Sequence, residues 1–194
     1  MQFTRIFTLV GLVLSAVLVA AAPVPSSNAV TSPCSTGCTS GTNVLGLLTS
    51  LRTDVNVTLS LLDKCKATGA NPTDLFVKLA ALVETCKNAV ATVEADTTGV
   101  YNGVKVQVSN IAAQIVLDVS TGCGKFKNVK LDGFVYLDLC AKIDLALKGL
   151  CVTLNGLISG CLQLISTICL TKSVLLSTVN FKFCLSLFTS LRLF

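Results

Sequence analysis

Apolar residues recur along this chain at steps of three and four, separated by short polar breaks, and that spacing predicts a succession of amphipathic helices. Val44, Leu48, Leu51, Val55, Leu59 and Leu62 form one stripe on a helix from about Asn43 to Lys66. The stretch TGANPTD then breaks the chain, with Asn71 or Thr73 able to cap and Pro72 suited to a first helical turn. Leu75, Leu79, Leu82, Cys86, Val90 and Val93 carry the same spacing to about Asp96, where TTG ends it. Val104, Val108, Ile111, Ile115 and Val119 line a third helix over 100–120, although its valines give it mediocre intrinsic propensity.

STGCGKFKNVK reads as a basic turn dividing the chain into halves. Beyond it, Phe134, Leu137, Ile143, Leu147 and Leu150 lead into GLCVTLNGLISGCLQLISTICLT, Gly149 to Thr171, which carries no charge. Its length would cross a bilayer, but its residues are sorted. Leu150, Cys151, Leu154, Leu157, Ile158, Cys161, Leu162, Ile165, Ile168 and Cys169 share one broad face, while Thr153, Gly156, Ser159, Gly160, Gln163, Ser166 and Thr167 take the other. A lone membrane span gains nothing from such sorting, so the expectation is a core or amphipathic helix and no stable transmembrane span. Gly149, Gly156 and Gly160 are possible breaks, and two or three helices are expected in this half. NFKFCLSLFTSLRLF predicts a terminal hydrophobic element docked on the core, with an exposed greasy tail as the sharper alternative. The fold class expected is all-α: a disulfide-bonded bundle of about five to six helices with a hydrophobic C-terminal half.

The N-terminus changes where this bundle is expected to live. One arginine, an apolar run from Ile6 to Ala20 and a small-residue exit make residues 1–21 a secretory signal peptide. Val19 and Ala21 suit the cleavage positions, and a cut after Ala22 would leave Pro23 at a disfavoured place. Residues 22–42 are rich in Ser, Thr, Pro and Gly and read as a leader tied down by Cys34 and Cys38. Residues 43–194 are then one helical domain, a more polar half over 43–122 and a hydrophobic half over 123–194. From Ala22 to Gly122 there are six Lys and Arg against seven Asp and Glu; from Cys123 to Phe194 there are eight against three. The greasier half is therefore also the basic one, which permits a weak pull toward anionic lipid or polysaccharide.

An even number of cysteines behind a signal peptide predicts disulfides, here among Cys34, Cys38, Cys65, Cys86, Cys123, Cys140, Cys151, Cys161, Cys169 and Cys184. Helical rise limits the pairings. Cys151 and Cys161 would sit ~15 Å apart on one straight helix, so they bond elsewhere unless Gly156 or Gly160 breaks it into a hairpin. Cys65 lies at the first helical turn and Cys86 ~20 Å up the second helix, so these two should not pair. A third helix antiparallel to the second would return Cys123 to that turn, and Cys65 to Cys123 is the pairing this geometry predicts. Zinc is disfavoured, because there is no histidine and no paired C-x-x-C spacing.

Catalytic signatures are missing. Without histidine, Ser-His-Asp and Cys-His nucleophile systems and histidine bases are excluded. Asp132, Asp138 and Asp144 recur at a spacing of six that points them to different helix faces, which reads as solvated carboxylates rather than an acid/base pair. No phosphate-binding glycine loop occurs, and Lys125, Lys127 and Lys130 are too small a cluster, without interleaved aromatics, for nucleic acid. Neither a cofactor nor an enzymatic activity is expected. Asn56-Val57-Thr58 is the one usable N-glycosylation sequon, since Pro72 blocks Asn71, and its offset from the apolar stripe places Asn56 toward solvent.

This layout of signal peptide, short leader with a first cysteine pair, polar helical half and hydrophobic cysteine-bearing half resembles a group of secreted cell-wall and aerial-growth proteins of mushroom-forming fungi. They are hydrophobin-like without being hydrophobins, a family that carries eight cysteines with two adjacent Cys-Cys pairs; this chain has ten and no such doublet. The resemblance implies an extracellular wall or matrix protein that coats hyphae or supports attachment. Gly149 to Phe194 has only Lys172, Lys182 and Arg192 as charges, so its partners are expected to be hydrophobic surfaces or further copies of itself. An extracellular lipid or sterol carrier, with the same apolar faces lining a cavity, is the alternative. A membrane-active toxin or effector is a third class.

Overall fold

A computed structural model describes residues 39–94 and 102–191. The proposed signal peptide, Cys34, Cys38 and most of the leader lie outside the described residues. Among the described residues there are seven α-helices and no strand: α1 (Thr39–Thr68), α2 (Thr73–Ala91), α3 (Asn102–Gly124), α4 (Tyr136–Leu157), α5 (Cys161–Leu170), α6 (Ser173–Thr178) and α7 (Lys182–Ser190). The all-α expectation holds, but five to six helices become seven and the basic half holds four rather than two or three. Two left-handed residues account for the extra breaks. Gly160 (φ +79°) separates α4 from α5, and Asn180 (φ 66°) precedes α7; glycine and asparagine are the residues that enter this region at least cost. The uncharged stretch from Gly149 to Thr171 is thus a helical corner, not one helix. STGCGKFKNVK is only half a turn, since its first five residues complete α3.

The α1–α2 connection follows its sequence signals. Gly69 takes positive φ (+70°), Pro72 stands at the N-cap of α2, and Asn71 Oδ1 accepts hydrogen bonds from the backbone N–H (3.0 Å) and hydroxyl (2.6 Å) of Thr73. Asn71 Nδ2 also donates to the Asp132 carbonyl (3.1 Å), tying this turn to the α3–α4 loop.

Contacts set the direction of each helix. Cys86 Sγ reaches the Leu47 carbonyl (3.8 Å), so α2 runs back along α1. Arg52 meets Asp118 and Asp63 meets Lys125, a register that rises together along both chains, so α1 and α3 are parallel. α3 is accordingly antiparallel to α2, as expected, but its main contacts are with α1 and α5. α4 packs on α2, α5 on α3, and α7 closes against both α4 and α5. At Gly122 an added Cβ would run into Leu59 Cδ2, so glycine leaves that side chain its place between α1 and α3.

Inside this arrangement the predicted stripes meet. Val44, Leu48, Leu51, Val55 and Leu62 of α1 are buried with Leu79, Val83 and Val90 of α2 and Ile115 and Val119 of α3. Phe76 packs edge-to-face on Phe126 (5.7 Å between centroids), Phe134 (5.4 Å) and Tyr136 (6.2 Å), fastening the start of α2 to the α3–α4 connection. Such pairs add roughly 0.5–1.5 kcal/mol each beyond the burial of their surfaces. The C-terminal segment docks as the plainer reading foresaw, with Phe181, Cys184 and Phe188 fully buried.

Candidate surface-binding face

The chemistry-bearing side chains divide into an inner and an outer set. Within the core, the eight described cysteines are free thiols, seven of them buried and Cys65 half-buried. Cys65 Sγ lies 3.1 Å from the Ala70 carbonyl, while Cys123 shares a hydrogen bond with Cys140. α3 does end beside the α1 terminus, as foreseen. Its cysteine nevertheless faces inward, and the structure gives Cys65 and Cys123 different partners. That shared bond holds Cys123 well above the ordinary thiol range, helped by burial, and holds Cys140 below it, so Cys123 is the donor of the pair. The buried Tyr136 phenol is the third member, pushed up mainly by burial and then by Cys140.

Cys151, Cys161, Cys169 and Cys184 come from α4, α5 and α7. Burial raises all four, Cys169 to about 12. Ser109 Oγ lies 3.1 Å from Cys161 Sγ, and Cys169 Sγ reaches the Ala113 carbonyl at 3.9 Å. Among the described residues no group of three or more histidine, cysteine or acidic side chains could hold a metal ion.

Asp144 departs from its reading as a solvated carboxylate. It is 0% exposed, and its two oxygens accept the backbone N–H groups of Phe183 (2.7 Å) and Cys184 (2.9 Å) in the first turn of α7. Cys184 Sγ adds a contact to the Asp144 carbonyl at 3.5 Å. A carboxylate at a helix N-terminus satisfies donors that have no partner within the helix and meets the positive end of its dipole. The spacing of six concealed this role. Cys140, Leu147 and Cys151, at i−4, i+3 and i+7 from Asp144, are all buried, and that stripe was the signal that it faces inward.

The outer set lies along α4. Ile143, Leu147, Leu150 and Leu154 turn into the core, but Leu145 (57% exposed) and Val152 (47%) stand on the outer side, one heptad apart, with Lys142 and Lys148 between and beside them. Phe183 of α7 (44% exposed) joins them, with Lys148 Nζ 5.8 Å from its ring centroid. Two grooves of about 390 Å³ run between α4 and α2 beside Leu145, one reaching Lys87 and Gly149, the other Glu84 and Ala81. A larger groove of about 600 Å³ opens near the start of α4, beside the exposed Val135 and Leu137. Seen from outside, α4 carries Leu145 and Val152 alongside Lys142 and Lys148, with the exposed Asp138 one heptad before Leu145.

Asn56 is exposed on α1 and borders a polar groove with Asp63, Asp118 and Lys125; the sequon threonine, Thr58, is buried and donates to the Asp54 carbonyl (2.9 Å). No helix among the described residues is long and apolar enough to cross a membrane. No protein-family model and no curated protein matches this sequence.

Proposed function

We propose that this is a secreted, non-catalytic, N-glycosylated helical protein of the fungal cell wall or matrix, and that it associates with hydrophobic surfaces, or with further copies of itself, through the outer ridge of α4. One observation carries the reading: Leu145, Val152 and Phe183 form an exposed apolar group on helices whose other faces already complete the core. Contiguous apolar patches on a folded surface usually mark association sites. The lipid-carrier alternative has less support, because the inward faces of α1–α5 are occupied by one another's side chains.

Retention of the oxidised mature chain on uncharged hydrophobic beads tests this. Binding should fall by about tenfold in a Leu145→Ser/Val152→Ser variant, since each substitution withdraws one aliphatic side chain from the contact. Retention equal to that of the unchanged protein would overturn the assignment of the face. We further propose that secretion converts neighbouring thiols to disulfides, beginning with Cys123 and Cys140. While the chain is open, one of the two thiolates attacks an external disulfide and expels its first thiol, and the other then attacks the cysteine sulfur of the resulting mixed disulfide and expels the second thiol. Peptide mapping without reduction should recover this pair linked.

A further inference from the structure

The same ridge has a charge pattern that a generic hydrophobic contact leaves unused. After Asp138, the only acidic side chain in the sequence is Asp144, and it is buried against α7. Every exposed charged side chain from Leu139 onward among the described residues is therefore a lysine: Lys142, Lys172 and Lys182, with Lys148 half-exposed. Two exposed carboxylates border the ridge: Asp138, one turn before Lys142 on α4, and Glu84 of α2, which is already paired with Lys87. Three of the lysines border the apolar residues. Lys142 shares a groove with Leu145, Lys148 stands over the Phe183 ring, and Lys182 precedes Phe183 in the chain.

We propose that this face docks on bilayers containing anionic phospholipid. Leu145, Val152 and Phe183 enter the boundary between headgroups and acyl chains, while Lys142, Lys148 and Lys182 reach the headgroup phosphates. Amphipathic surfaces with an apolar ridge and basic flanks bind by adding buried apolar area to electrostatic attraction, and the long lysine stems let the charge stay with the phosphates as the ridge descends. Uncharged hydrophobic surfaces use only the first of these two terms. The ridge lies along the side of α4, so docking leaves the bundle folded and spans nothing.

This inference rests on the proposed surface-binding role, and co-sedimentation can separate the two. The oxidised full mature chain is mixed with vesicles of phosphatidylcholine alone or with about one-third phosphatidylglycerol, alongside uncharged hydrophobic beads. The expected result is a preference of about tenfold or more for the anionic vesicles, weakening steeply as salt is raised. Lys142→Glu/Lys148→Glu should abolish the preference while the variant keeps its helical circular dichroism, and Lys64→Glu on α1 should leave it intact. Retention on beads with equal binding to both vesicles would overturn the lipid inference and leave the surface-binding role standing; binding to neither would end both. Equal losses from Lys64→Glu and from the ridge variant would show net charge acting without a site. So would full vesicle binding by Leu145→Ser/Val152→Ser, and either result overturns the proposal.

Discussion

Removing the Asp144 carboxylate should loosen α7 from the bundle, and the size of the effect follows from what the side chain touches. In Asp144→Ala, the backbone N–H groups of Phe183 and Cys184 lose acceptors at 2.7 and 2.9 Å, and Cys184 is buried where water cannot replace them. A buried donor without a partner costs roughly 1–3 kcal/mol, so two would cost about 2–6 kcal/mol. Removing a buried charge gives part of this back. Burial is the largest influence on Asp144 and raises its carboxyl above the usual range, against the bonds from Cys184 and Phe183 and the attraction of Lys148. A net loss of about 3 kcal/mol is expected, which for a chain of this size lowers Tm by about 6–12 °C. Thermal unfolding followed by circular dichroism measures it, and amide exchange should rise selectively over 183–188.

The same prediction has a pH signature. An acid whose folded value is raised holds its proton more tightly in the folded state, so its stabilising contribution is complete below the unfolded value and is lost as pH rises through the folded one. Relative to Asp144→Asn, which cannot titrate, the unchanged protein should therefore lose stability as pH rises above the ordinary carboxylate range. A Tm for Asp144→Ala within about 1 °C of the unchanged protein, together with unaltered exchange in α7, would refute the capping argument.

Three further outcomes follow from the packing. In the reduced native protein at neutral pH, a maleimide should label Cys65 first among the described cysteines, because burial raises Cys86 to about 11 and Cys169 to about 12; equally fast labelling of either would contradict this when read by peptide mass. Phe76→Ala removes three edge-to-face contacts and a fully buried ring, and should cost about 3–5 kcal/mol in chemical denaturation. Gly160→Ala should cost about 1–2 kcal/mol because φ is +79° and Lys105 crowds the new methyl, whereas Gly156→Ala, with nothing within 4 Å, should be neutral or slightly stabilising.

Much of the first half was legible because α1 and α2 each bury one stripe, and a single stripe leaves an unambiguous period. Val44, Leu48, Leu51, Val55 and Leu62 on α1 and Leu79, Cys86 and Val90 on α2 were all named from spacing, and all are buried. The second half resisted for a different reason. α4 is contacted by α2, α5 and α7, so apolar residues cover most of its circumference, and spacing alone does not say which of them remain outside. Leu145 and Val152 look no different in sequence from Leu147 and Leu154. The wheel drawn through Gly149 to Thr171 still picked the inner face well, because the break at Gly160 changes the direction of the chain more than the assignment of its faces. Ser166 is the exception, buried although it was placed on the polar side. Asn180 was a legible break that went unused.

The depth of the cysteines makes the order of events in this protein's life consequential. Cys123, Cys140, Cys151, Cys161, Cys169 and Cys184 are at most 1% exposed once the helices close, so an oxidant or exchange partner meets them only while the chain is open. Oxidation and collapse therefore compete in time. A chain that folds first seals its thiols inside and depends on rare opening to change them, whereas a chain cross-linked first carries its bonds into the finished core. The same sequence can thus persist as two long-lived molecules distinguished only by history, and the route of preparation becomes part of what any measurement on it reports.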